Sequence, residues 1–188
     1  MSALLTACGS PLSWVVVLGM TEPRIRVLMV CMGNICRSPT AEAVLRSKLQ
    51  QAGLADAVQV DSAGTHAYHV GHAPDKRSQR HAAIRGYELS ALRARQVSPQ
   101  DFRRFDLLLA MDWDNLALLE DRCPPDRMMR VKLKRLTEFL PANSTFAEAQ
   151  VVPDPYYGGE ESFESVLDLV EAACDGLVDH LRMRLNGA

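Results

Sequence analysis

Cys31-Met32-Gly33-Asn34-Ile35-Cys36-Arg37-Ser38 follows the apolar run Val27-Leu28-Met29-Val30 and precedes Pro39-Thr40-Ala41-Glu42-Ala43-Val44-Leu45. The order is a strand, a loop and the opening of a helix. A cysteine at the end of a buried strand, with five residues between it and an arginine, can point its sulfur into the concavity those residues enclose. Backbone N–H groups aimed inward form an anion nest beside a helix N-terminus, where the free N–H groups and the dipole both favour negative charge. The field that binds a phosphate also stabilises a thiolate. An ordinary thiol has a pKa of roughly 8.5, and loops of this kind lower it by several units, so Cys31 is expected to be largely ionised at neutral pH.

Arg37 can offer a bidentate fork to two phosphoryl oxygens, a planar match that lysine cannot reproduce. Ser38 has a hydroxyl able to donate to the Cys31 sulfur and so to stabilise it as a leaving group. Ser38 followed by Pro39 also reads as an N-cap and first-turn pair. A lone cysteine would read as buried filler; the surrounding octapeptide argues for a nucleophile.

These residues resemble the signature of the low-molecular-weight protein tyrosine phosphatases, Cys, five residues, Arg, Ser, near the N-terminus. A second motif of that family, Asp-Pro-Tyr-Tyr-Gly, stands downstream as Asp154-Pro155-Tyr156-Tyr157-Gly158, and Asp61-Ser62-Ala63-Gly64, Ala94-Arg95-Gln96 and Phe105 to Asp112 are similar too. The resemblance runs from about Ile25 to the C-terminus. It implies hydrolysis of phosphotyrosine in proteins through a cysteinyl-phosphate intermediate. Cys31 would be the nucleophile, Arg37 the phosphate clamp and Asp154 the general acid, then base. Met32, Gly33, Asn34, Ile35, Cys36 and Ser38 would line the phosphate.

The chemistry asks for such an acid independently. Expelling a tyrosyl oxygen from phosphorus is easier when a positioned group protonates it, which contributes roughly a hundred- to ten-thousandfold. Tyr156 and Tyr157 would wall the cleft, and Tyr68 falls where the family carries another aromatic. A deep aromatic cleft admits a long phosphotyrosine and leaves a short phosphoserine out of reach of the sulfur. The resemblance gives Asn34 a left-handed backbone, which its short polar side chain tolerates. A supporting network would include Ser62 and Glu42. The family places a histidine in that network where this chain has Leu92, which removes a polar partner near Glu42.

Cys36 has two readings, an apolar filler beneath the loop and a redox partner that condenses with an oxidised Cys31 to a reducible disulfide. His66, His69 and His72 recur every third residue, but Gly64, Gly71 and Pro74 mark a loop with no carboxylate or cysteine at ligand spacing. They are expected to line the cleft. No metal and no cofactor is required.

Alternatives remain on the same fold. A protein-arginine phosphatase is argued against by Ile35, where those relatives carry threonine, and by the paired tyrosines. A thioredoxin-coupled arsenate reductase needs two further cysteines close together, whereas Cys123 and Cys174 lie far apart. A phosphotyrosine-binding module with a dead site would be expected to have lost Cys31, Arg37 or Asp154.

Those residues need elements to hold them. Strands are expected at Ile25 to Val30, Val58 to Asp61, Phe105 to Met111 and Met129 to Leu133. Helices are expected at Pro39 to Ala52, Pro74 to Arg85, Trp113 to Leu119 and Ser162 to Arg184. The alternation implies an α/β fold: one three-layer domain with a central, mostly four-stranded parallel sheet, helices on both faces, and the phosphate loop between the first strand and the first helix. Pro141 to Pro155 is the one long connection, fit to carry the acid.

Composition bounds the rest. The 188 residues are 47% hydrophobic and 23% charged with a net charge of −2, a balance that points to no nucleic-acid partner. Five cysteines make no disulfide framework, and a free thiolate suits a reducing cytoplasm. Residues 1–19 carry no charged side chain and lack the basic start and apolar length of a signal peptide. They are expected to be a disordered extension upstream of a working start at Met20, with the phosphatase domain at 20–188. No stretch approaches the roughly 20 apolar residues of a membrane span. The partners implied are tyrosine-phosphorylated proteins, in bacteria a tyrosine autokinase among them, acted on by a monomer.

Overall fold

Val27, Leu28, Met29 and Val30 are all fully buried, yet they serve two different cores. Val27 and Met29 pack into one cluster and Leu28 and Val30 into another. This is the two-residue period of a strand covered on both faces, which reads in sequence as a continuous apolar run. The computed structural model describes residues 22–187, and the extension expected over residues 1–19 lies outside them.

The strand carrying those residues, β1 (Ile25–Cys31), sits inside a four-stranded sheet with β2 (Val58–Gly64), β3 (Leu107–Ala110) and β4 (Leu133–Arg135), in the order β2-β1-β3-β4. Every pairing is parallel. The helices are α1 (Arg37–Gln51), α2 (Lys76–Ile84), α3 (Asp101–Arg104), α4 (Trp113–Arg122), α5 (Arg127–Arg130) and α6 (Glu160–Asn186). Leu45 and Leu49 of α1 and Leu177 and Leu181 of α6 share the larger core with Val27, Val60 and Leu109. Phe102 of α3 and Leu119 of α4 join Leu28 and Leu108 on the other face. The expected three-layer α/β arrangement is what the chain forms.

Two local expectations are corrected. The segment Met129 to Leu133 is not a strand. The Asp126 carboxylate accepts from the Met128 N–H and opens the helical turn α5, so pairing with β3 begins only at Leu133. The first helix starts at Arg37, with Cys36 at its N-cap and no side-chain cap. Ser38 is therefore inside the helix and caps nothing; its hydroxyl is engaged elsewhere. The long connection is present, running from the 3-10 turn Leu136–Phe139 to α6. Among the described residues no helix is long and apolar enough to cross a membrane.

Candidate active site

Parallel strands direct their carboxyl ends to one side of the sheet, and Cys31 is the last residue of β1, paired with Gly64 at the end of β2. Its side chain is buried, and its sulfur is 3.0 Å from Ser38 Oγ. The Asn34 backbone N–H donates to the same sulfur at 3.3 Å.

Asn34 is the one described non-glycine residue with positive φ, at 57°. That backbone turns the loop sharply, and the buried side chain holds it there. Its Nδ2 donates to Ser38 Oγ and to Ser62 Oγ, each at 2.9 Å, while its Oδ1 accepts from the Arg95 N–H at 2.9 Å. Ser62 Oγ donates in turn to Glu42 Oε2 at 2.5 Å, and Arg46 pairs with the other Glu42 oxygen at 2.6 Å. Hydroxyls have one proton each. Because Ser38 receives from Asn34, its proton is available to the Cys31 sulfur or, over a longer 3.4 Å, to the Ala63 carbonyl. The network therefore branches at Asn34, whose amide donates through Ser62 toward Glu42 on one side and through Ser38 toward the sulfur on the other. Leu92 lies outside it, partly buried against the larger core. Burial pushes the Glu42 carboxyl above the ordinary carboxylate range, against the pull of Ser62 and Arg46.

Arg37 is almost fully buried and its guanidinium faces three acceptors. Nη1 is 2.5 Å from Asp112 Oδ2 and 3.2 Å from the Val152 carbonyl, and Nη2 is 2.7 Å from Asp154 Oδ2. Burial works against this charge, yet Cys31, Asp154 and Asp112 together raise its pKa above the usual guanidinium value. Asp112 escaped the sequence reading as a site residue. Its signal is positional: it is the first polar side chain beyond β3, at the strand end that faces the phosphate loop. Asp154 is more exposed, with 42% of its side chain accessible, and its Oδ1 accepts from the Tyr156 N–H at 3.1 Å.

Above the sulfur is a cleft. Cys31, Met32, Gly33, Ile35, Cys36 and Arg37 form its floor, and Tyr68, His69, Asp154, Tyr156 and Tyr157 its walls. Ser38, Ser62 and Glu42 lie behind the floor rather than in it. Tyr68 and Tyr157 are strongly exposed, whereas Tyr156 is braced by the Arg77 guanidinium, 5.6 Å from its ring. Of the three histidines only His69 lines the cleft; His66 stacks on Tyr68 at 5.1 Å. Among the described residues no set of three or more histidine, cysteine and acidic side chains is gathered for a metal ion. Cys36 is buried, and burial pushes its thiol up to about 12.

A buried thiol within reach of hydroxyl and N–H donors, in one cleft with an arginine and a carboxylate, forms a set suited to displacing an ester oxygen from phosphorus. Comparison with known proteins agrees with that chemistry. The model of the family described as low molecular weight phosphotyrosine protein phosphatase matches residues 26–186. A low molecular weight protein-tyrosine-phosphatase of Streptomyces coelicolor is 43% identical over 163 residues, 86% of this chain and 96% of that protein. The crystal structure of a protein tyrosine phosphatase from Entamoeba histolytica superposes with a TM-score of 0.78 at 41% identity, covering 85% of this chain and 97% of the other. A drosophila arginine phosphatase superposes with a TM-score of 0.75 at 31% identity, covering 84% and 98%.

Proposed function

The chain belongs to the low molecular weight phosphotyrosine protein phosphatase family, and on that premise we propose that it hydrolyses phosphotyrosine in proteins by way of a cysteinyl-phosphate. The phosphoryl group enters the loop with its oxygens toward the backbone N–H groups and the Arg37 fork. The Cys31 sulfur attacks phosphorus in line with the tyrosyl oxygen. Asp154 protonates that oxygen as the bond to phosphorus breaks. In the second step the Asp154 carboxylate takes a proton from the attacking water, and the Cys31 sulfur leaves, stabilised by the Ser38 hydroxyl.

The observation that carries this reading is the placement of Arg37, bonded to Asp154 and lining the same cleft as Cys31. The guanidinium and the carboxylate satisfy one another. An incoming phosphoryl group offers Arg37 a better planar match, which frees Asp154 to meet the ester oxygen. Tyr156, Tyr157 and Tyr68 supply the apolar walls that a phosphotyrosine ring packs against. The need for a free thiol favours a reducing, cytoplasmic setting, and the partners are tyrosine-phosphorylated proteins.

The likeness to an arginine phosphatase keeps phosphoarginine as a second reading. Ile35 and the paired tyrosines favour phosphotyrosine. The test is phosphate release, in the presence of EDTA, from matched phosphotyrosine, phosphoarginine and phosphoserine peptides by the wild type, Cys31→Ser and Asp154→Ala. Turnover of phosphotyrosine alone, abolished by Cys31→Ser and reduced roughly a hundred- to ten-thousandfold by Asp154→Ala, is the expected result. Preference for phosphoarginine would overturn the substrate, and turnover surviving in Cys31→Ser would overturn the mechanism.

A further inference from the structure

The helices α2 and α6 meet along a seam of opposite charge. Arg80 and His81 of α2 and Arg85, its C-cap, face Glu160, Glu164, Asp168 and Glu171 of α6. His81 is the buried member of the seam, with 8% of its side chain accessible. Its Nε2 is 2.7 Å from Glu160 Oε2, and its Nδ1 is hydrogen-bonded to Glu164 Oε1. Its ring lies flat against Phe163, 5.7 Å between centroids and 9° between planes. Each ring nitrogen thus has a carboxyl group for a partner, and the ring bridges Glu160 and Glu164 from within the seam. Arg80 and then His81 keep the Glu160 carboxyl below the ordinary range; His81 and then Arg85 do the same for Glu164.

These contacts fall where α6 begins. Glu160 is its first residue and Gly159 its N-cap, and glycine supplies no side chain to fix the start of the helix. The fixing comes from across the seam instead. The segment just before it runs from Asp154 to Gly159 and carries the acid and both tyrosines. That segment is tied at one end by Arg37 to Asp154 and in its middle by Arg77, which donates to the Tyr156 carbonyl at 3.1 Å. At its other end lies the His81 clamp. Pro155, the residue after the acid, shares a small hollow with His81, Phe163 and Cys36, so a shift of the helix start reaches Asp154 through one packed layer.

We infer that His81 is a positioning residue for the acid: by pinning Glu160 and Glu164 it sets where α6 starts, and therefore where Asp154 sits over the phosphate loop. The inference rests on the reading of Asp154 as general acid. Misplacing a catalytic group by about 1 Å can cost on the order of a hundredfold, whereas a substrate whose leaving group needs no proton is indifferent to where the acid stands.

The experiment compares kcat/KM for phenyl phosphate, whose phenolate is a poor leaving group, with that for 2,4-dinitrophenyl phosphate, whose phenolate departs unprotonated. His81→Gln and Glu160→Gln are each expected to lose about 5- to 20-fold on phenyl phosphate and less than about twofold on the dinitrophenyl ester. The double variant is expected to lose no more than the worse single one, because both changes release the same clamp. Equal losses on the two esters, or none on phenyl phosphate, would overturn the inference. Glu160 is well exposed, so Glu160→Gln decides the matter if His81→Gln fails to fold. Asp154→Ala measured alongside separates the two failures: if it shows no leaving-group selectivity, the acid assignment itself falls.

Discussion

Asp112 binds Arg37 with one carboxylate oxygen and opens a helix with the other. Oδ2 is 2.5 Å from Arg37 Nη1, and Oδ1 accepts from the Asn115 N–H at 2.7 Å as the N-cap of α4. The guanidinium that would clamp the phosphoryl group is thus aimed by a residue fixed to the sheet on one side and to a helix on the other. Asp112→Ala removes both functions. It should lower stability by about 1–3 kcal/mol, from the lost cap and a buried arginine short of one partner. It should also lower kcat/KM for an aryl phosphate roughly 10- to 100-fold, through a raised KM. Asp112→Asn keeps an oxygen for the cap, so denaturant unfolding should return most of the stability while the kinetic loss persists.

The phosphate loop was legible because its parts are contiguous: eight consecutive residues make a nest wherever a strand feeds a helix. Asp154 was legible from its motif. Asp112 was not, although the strand before it is an obvious apolar run, because the partner that gives it meaning is 75 residues away in sequence. The seam between α2 and α6 was hidden for the same reason. Each helix has an ordinary charged face by itself, and only the packing of one on the other places His81 between two carboxyl groups. Of the two sequence readings of Ser38, donor to the Cys31 sulfur and helix cap, only the first has its contact, because bonds from the loop claim the hydroxyl. Met129 to Leu133 misled for a local reason, since Asp126 offers its capping bond before an extended pairing can start.

Asn34 provides a way to separate backbone strain from hydrogen bonding. Its φ of 57° costs an alanine roughly 1–2 kcal/mol that a glycine avoids. Both substitutions lose the bonds to Ser38, Ser62 and the Arg95 N–H. Chemical denaturation should therefore rank the wild type first, Asn34→Gly second and Asn34→Ala last. Both variants should lose at least about tenfold in kcat/KM, because the loop N–H groups are no longer held inward. Equal stability of the two variants would show that the strain at Asn34 is negligible.

Glu42 gives a pH dependence with a definite sign. Burial raises its pKa above the ordinary glutamate value of 4.5, so the folded protein binds this proton more readily than the unfolded chain does. Its favourable contribution is complete below 4.5 and is lost as pH rises through the raised folded value. Glu42→Gln still accepts from Ser62 and has no proton to lose. Relative to the wild type, the variant should gain stability as the pH is taken from 4.5 to 8, as read by thermal unfolding at fixed ionic strength. A difference that stays flat, or that moves in favour of the wild type over that range, would show that Arg46 and Ser62 outweigh burial.

Cys36 bears on how the enzyme survives oxidation. In the redox reading of Cys36, peroxide would convert the Cys31 sulfur to a sulfenic acid; attack by the Cys36 sulfur on that centre would form a disulfide and release water, and a cellular thiol would then restore both groups. The competing reaction with a second peroxide gives the sulfinic acid, which such thiols do not reverse. Burial pushes the Cys36 thiol up to about 12, so at neutral pH only a small fraction is the attacking thiolate, and resolution is the slower for it. The activity recovered by dithiothreitol after a brief peroxide pulse should therefore be incomplete in the wild type at pH 6.5 and should increase toward pH 9, as the Cys36 thiolate fraction grows about tenfold per pH unit. Cys36→Ser cannot form the disulfide, so its recovery should be lower throughout and should show no such increase. Equal recovery in the two proteins would assign Cys36 to packing beneath the loop alone.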